Sequence, residues 1–115
     1  MTEQKTIVGL GELLWDLLPG GARLGGAPAN FAVMAGRLGN RAVVASRIGA
    51  DELGDQAVET LEGLPVESGF LQRDREFATG TVTVALEKGE PRYTIHEPVA
   101  WDRLALTPEW RELAQ

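Results

Sequence analysis

From Thr79 to Leu86 the chain runs Thr-Gly-Thr-Val-Thr-Val-Ala-Leu, a strict alternation of apolar positions. Strand side chains point to opposite faces in turn, so period two specifies a strand with one dry face and is incompatible with a helix. Glu87-Lys-Gly-Glu90 supplies a turn, and Arg92 to His96 alternates again. The pattern predicts an antiparallel hairpin whose apolar side carries Val82, Val84, Leu86, Tyr93 and Ile95. Any fold open to this chain must place that ribbon over something it can cover.

The residues before the ribbon follow another rule. Thr6 to Leu10 reads as a short buried strand, and Leu13 to Leu18 continues as an apolar stretch holding Trp15 and Asp16 until Pro19-Gly20-Gly21 stops it. Pro28 suits the first turn of a helix, where a missing N–H costs nothing. Phe31, Met34, Ala35 and Leu38 then recur at helical spacing as its apolar stripe, and Gly39 offers a left-handed stop. Arg41 to Ile48 reads as a second strand. Asp51 caps a second helix with Leu53, Ala57, Val58 and Leu61 inward and Gly63 at its end, and Val66 to Leu71 reads as a third, weaker strand. Strand–helix–strand–helix–strand predicts an α/β core, a parallel sheet with crossover helices. Thr107-Pro108 starts a last helix that reaches Gln115 without a stop signal, so the sequence reads as a fold cut short.

Charge and composition narrow the partners. The chain carries a net charge of −6 with a pI near 4.7, a field that repels polyanions and argues against nucleic acid as a ligand. It has no cysteine, which removes disulfides and thiolate metal sites. The polar start Met1-Thr-Glu-Gln-Lys5 leads into an apolar run broken by Gly9, Gly11, Glu12 and Asp16. That is neither a signal peptide nor a membrane span, and a reducing cytoplasm is the expected location.

Gly9-Leu-Gly-Glu12 invites comparison with a dinucleotide fingerprint but lacks the third glycine, the helix and the later acidic residue. Gly25-Gly-Ala-Pro-Ala-Asn-Phe31 is not a phosphate-binding loop, having no Lys-Ser/Thr. The constellation that can carry chemistry is Asp16 with Gly25, Gly26 and Asn30. Asp16 is a carboxylate just beyond a buried strand, near the end of a sheet where ligands bind, and it can accept hydrogen bonds from two adjacent hydroxyls. The two glycines admit a ligand close to backbone, the helix behind them presents free N–H groups, and Asn30 both donates and accepts. The same residues also fit a solvated turn at Asp16 and a local helix cap at Asn30. Residue chemistry alone leaves both open. His96, the sole histidine, reads as structural. Trp15 fits either core or a ring-stacking surface, while Trp101 and Asp102 suit a hinge or wall.

Leu24-Gly-Gly-Ala-Pro-Ala-Asn-Phe-Ala32 followed by Gly36-Arg-Leu-Gly39 resembles the N-terminal signature of PfkB-type (ribokinase-type) carbohydrate kinases. Gly9-Leu-Gly-Glu12 with Leu14-Trp-Asp16 resembles their first strand and substrate aspartate, Gly49-Ala-Asp-Glu-Leu-Gly54 their Gly-x-Asp-x-x-Gly segment, and Thr79-Gly-Thr81 with Tyr93 to Pro98 the strands of a lid. The Ala-Pro-Ala form and the Trp-Asp pair are more similar to fructokinases, and Leu14 replaces a polar sugar contact of ribokinases.

The resemblance implies a ribokinase-like three-layer α/β core, about residues 5–11, 27–71 and 99–115, plus a β-sheet lid of about residues 13–26 and 79–97. It implies ATP-dependent phosphorylation of a sugar hydroxyl, fructose foremost, with Mg2+, in an intact protein. Asp16, Gly25, Gly26 and Asn30 would hold the substrate, and copies would associate through the lid or exposed sheet edges. The family's catalytic Asp-Thr-x-Gly-Ala-Gly-Asp motif is not in this sequence, so the chain itself is expected to lack phosphoryl transfer. The competing expectation is a non-catalytic, self-associating module.

Overall fold

The computed structural model describes residues 4–115, which leaves the polar start Met1 to Glu3 outside the described residues. In chain order the elements are β1 (Thr6–Leu10), β2 (Leu14–Leu18), β3 (Gly21–Gly25), α1 (Ala27–Arg37), β4 (Arg41–Ala45), β5 (Arg47–Gly49), α2 (Glu52–Glu62), β6 (Gln72–Asp74), β7 (Gly80–Glu87), β8 (Glu90–Ile95) and α3 (Pro108–Leu113), with a 3₁₀ turn at Ala100–Arg103 before α3. β1 and β4 pair in parallel, Thr6 opposite Arg41 and Leu10 opposite Ala45, and α1 packs on both strands.

The face that α1 turns inward corrects the predicted stripe. Ala29, Ala32 and Ala35 are buried, whereas Phe31, Met34 and Leu38 are exposed, Leu38 at 79%. The helix offers two apolar faces, and the strands accept the one made of small side chains because the gap is narrow. A Cβ on Gly9 would run into the Pro28 carbonyl oxygen, so the glycine in β1 is what lets the helix come this close. Gly9→Ala should therefore cost about 1–3 kcal/mol through overpacking, read as a lowered urea midpoint. An unchanged midpoint would show that α1 shifts freely.

The hairpin forms as expected. β7 and β8 pair antiparallel around Lys88 and Gly89, both at positive φ (53° and 80°), the two-residue turn that matches strand twist. β2 joins them in parallel through β7 and carries β3 on its other edge, giving a sheet of order β3-β2-β7-β8. Its dry face is shorter than predicted. Val82 is buried and Val84 half-buried, but Leu86, Tyr93 and Ile95 stand exposed: β2 covers β7 only from Gly80 to Thr83, and Tyr93 and Ile95 belong to the edge strand β8.

Two other expectations shift. Arg41 to Ile48 is not one strand but β4 and β5, broken at Ser46. There the chain changes partners: β4 pairs with β1 and β5 with β6, while the Ser46 hydroxyl donates to the Gly11 carbonyl at 2.5 Å. Val66 to Leu71 makes one bridge, Glu67 against Val43, then a turn from Ser68 to Leu71, and regular pairing begins only at β6.

Asp51 caps α2 by accepting from the Gly54 N–H at 2.8 Å, with Ala57 and Leu61 buried. Thr107 Oγ1 accepts from the Trp110 N–H, and α3 ends at Leu113 rather than running to Gln115. The segment before α3 is held by Gln72, whose side chain both donates to the Ala105 carbonyl and accepts from its N–H. Leu13 and Trp15, beside and within β2, share one core cluster with Ala32, Val44, Ile48 and Leu61, so the sheets β1-β4, β3-β2-β7-β8 and β5-β6 are packed on one core. Among the described residues no helix is long and apolar enough to cross a membrane.

Candidate functional site

Alternation along β2 sorts its side chains. Trp15 turns into the core and donates its indole N–H to the Leu53 carbonyl at 2.9 Å, which settles it as a packing residue. Leu14 and Asp16 turn the other way, into a cleft of about 450 Å3. Across the sheet, Asp16 lies opposite Val82, and Val82 opposite Ile95. One wall is therefore a row built by strand register, and Trp101 adds to it from the 3₁₀ turn.

The far side of the cleft is the junction between β3 and α1. Gly25 pairs with Leu14, and a Cβ there would stand 2.7 Å from Asp16 Oδ2. The absent side chain leaves the carboxylate room. Gly26 is the N-cap of α1 at φ 111°, a conformation that favours glycine, and a Cβ on it would stand 2.6 Å from the Glu12 carbonyl oxygen. Asp16, Gly25 and Gly26 are thus brought together, with Gly26 and Ala27 in the lining. Asn30 is not. It is exposed and lines a separate groove with Arg23, Val33 and Thr60, which departs from the expected constellation. It lies three residues past the start of α1, where Gly26 and Ala27 line the cleft.

Glu12, Glu97 and Trp101 complete the lining. Sequence reading missed both glutamates as site residues. Glu12 accepts from the Ala27 N–H at 3.4 Å, so a carboxylate from the β1–β2 connection serves the start of α1 where Gly26 offers no side chain. Its place beside Asp16, just past a strand, was the available signal. Glu97 follows β8 and had none. His96 is exposed and its Nε2 lies 2.7 Å from Thr83 Oγ1, and Asp102 accepts from the Val99 N–H at 2.9 Å. Both act locally.

Behind the cleft, Asp51 ties the core to the start of β7. Thr79 is 1% exposed and donates its hydroxyl to Asp51 Oδ1 (2.6 Å) and its N–H to Oδ2 (3.0 Å), while its own oxygen accepts from the Gly49 N–H. Burial pushes the Asp51 carboxyl up. Hydrogen bonds from Thr79 and Gly54 and the charge of Arg73 outweigh it and hold the group below its usual value. Asp74, held by the N–H groups of Phe77 and Glu76 and by Arg47, is lowered to about 2.

Residues 20–114 match the family described as pfkB family carbohydrate kinase. The chain belongs to the pfkB family. It is 33% identical over 111 residues to an uncharacterized sugar kinase of Pyrococcus horikoshii, across 87% of this chain and 36% of that protein. It is 39% identical over 106 residues to a fructokinase of Klebsiella pneumoniae, across 87% of this chain and 34% of that protein. The crystal structure of the Pyrococcus protein superposes with a TM-score of 0.81 at 30% identity, covering 88% of this chain and 37% of that one. A Vibrio cholerae fructokinase solved with fructose, ADP and calcium gives 0.76 at 33% identity, covering 89% and 35%. The fold is thus the ribokinase-like α/β fold of pfkB sugar kinases, and the chain spans about a third of the length of the relatives it matches.

Proposed function

We propose that this chain supplies the sugar-holding part of an ATP-dependent sugar kinase, with fructose the leading substrate, in the cytoplasm. The observation that carries the reading is the half-buried Asp16 carboxylate, set between the bare backbone of Gly25 and the apolar row of Val82 and Ile95. A carboxylate that can grip two hydroxyls beside an apolar wall suits a sugar ring, polar at its edge and apolar on its face. The sheet β3-β2-β7-β8 would act as the lid. Gly25 and Gly26 let the ring approach the backbone. In this reading Asn30, which lines the neighbouring groove, makes no first contact with the sugar.

In this reading the nucleotide and its metal are held by other parts of the intact enzyme. Among the described residues no three His, Cys, Asp or Glu side chains gather to hold a cation, and the acidic groups of the cleft repel phosphate oxygens. Phosphoryl transfer depends on positioned donors and cations that neutralise the moving charge. No step of that chemistry is assigned to this chain. Its residues bind the sugar and orient it.

Nuclear magnetic resonance titration tests the reading. Fructose is expected to shift amides of residues 12–16, 25–27 and 82, while a coupled assay with ATP and fructose shows no turnover by the chain alone. Turnover surviving purification would overturn the division of labour, and shifts confined to other regions would overturn the site. The self-associating reading is favoured by exposed Leu86, Tyr93 and Ile95 on the ribbon. It predicts a mass in light scattering above the 12.4 kDa of one chain, and it is compatible with sugar binding.

A further inference from the structure

We infer that Glu12 and Glu97 set the charge selectivity of the cleft, so that it takes sugars that are uncharged or carry an amine and turns away sugar acids and phosphorylated sugars. This rests on the reading that a sugar binds beside Asp16. Glu12, Asp16 and Glu97 come from three separate stretches of chain, before β2, within it and after β8, and all line one cleft. Among the described residues no Lys, Arg or His joins them in the lining. Arg23 sits opposite Asp16 in the β2–β3 register but is exposed and lies outside the cleft.

The start of α1 strengthens the case. An eleven-residue helix presents free N–H groups and a partial positive charge at its N-terminus, the one feature here that could welcome an anion. Glu12 occupies it, its Oε1 facing the Ala27 N–H. The same carboxylate therefore takes up one of those N–H groups and adds a negative charge beside the others. Carboxylates are ionised at neutral pH, and like charges in a partly desolvated cleft repel more strongly than in bulk water. A hydroxyl donates to such groups and an ammonium pairs with them. An incoming carboxylate or phosphate does neither.

Glu12→Gln keeps an acceptor for the Ala27 N–H while discarding the charge, and Glu97→Gln changes an exposed group, so both variants should fold. The experiment titrates the 115-residue chain and each variant with fructose, gluconate and glucosamine, followed by amide shifts. Gluconate is expected to bind the unaltered chain at least about tenfold more weakly than fructose, equivalent to about 1.4 kcal/mol. Glucosamine should bind at least as tightly as fructose, and each variant should narrow the gluconate gap about threefold to tenfold. Gluconate binding as tightly as fructose, or a gap that neither variant moves, overturns the charge filter and leaves the sugar site standing. No shift with any of the three overturns the sugar site and the filter together.

Discussion

Replacing Asp16 with alanine is expected to weaken fructose binding by at least about tenfold and to leave the urea midpoint of the chain unchanged. A carboxylate bonded to two hydroxyls makes charge-assisted contacts worth roughly 1.5–3 kcal/mol each, and 1.4 kcal/mol already gives a factor of ten. Stability should hold because the packing side of β2 is carried by Trp15, within the core cluster, while Asp16 faces the cleft. Its negative charge shares that cleft with Glu12 and Glu97, so losing it relieves repulsion in the empty site. Asp16→Asn, which retains one acceptor oxygen, should lose less. Calorimetric titration with fructose, run beside a urea melt, separates a ligand-holding role from a structural one. Normal affinity with a lowered midpoint would make Asp16 a turn residue and remove the centre of the proposed site.

What the sequence revealed depended on how local the governing interaction was. β1, the β7–β8 ribbon and the capped start of α2 were legible, since alternation, a Lys-Gly turn and an aspartate three residues ahead of Gly54 act over a few residues. The buried face of α1 was not. Periodicity finds the larger apolar side chains, Phe31, Met34 and Leu38, but the choice was made by Gly9 on another element and the narrow gap it permits. The break at Ser46 is likewise a change of sheet partner, decided by Gly11 and by Gln72, whose N–H donates to the Ser46 carbonyl. In the site, Asp16, Gly25 and Gly26 meet because β2 and β3 form a tight antiparallel pair that puts Leu14 opposite Gly25. Glu97 reaches the same cleft only through the register of β7 on β2 and β8 on β7, two pairings away. No spacing rule within the sequence encodes that.

Asp51→Ala should be the most damaging single change to stability among the polar residues, about 2–4 kcal/mol by urea or thermal melting. The side chain accepts from the Gly54 N–H, the Thr79 N–H and the Thr79 hydroxyl. Truncation orphans these donors, and Thr79 is too deeply buried to turn to water. A helix cap lost costs about 1 kcal/mol, and each buried donor left unpaired costs about 1–3 kcal/mol, with partial relaxation at the exposed end of α2. The loss should also reach the cleft, because Thr79 fixes the start of β7 and Val82 lies three residues on, opposite Asp16. Acid gives an independent check. The Asp51 carboxyl is held below its ordinary value of 3.8, and that of Asp74 is lowered to about 2. In this window the unfolded chain binds more protons than the folded one, so stability is full above about pH 4 and drains away as pH falls from 3.8 towards 2. In Asp51→Ala the share owed to Asp51 is gone at every pH, so its stability should fall less steeply across that window than that of the unaltered chain. Parallel acid profiles, or a loss below about 0.5 kcal/mol at pH 7, the scale of ordinary surface substitutions, would show that Thr79 finds another partner and that β7 is not anchored through Asp51.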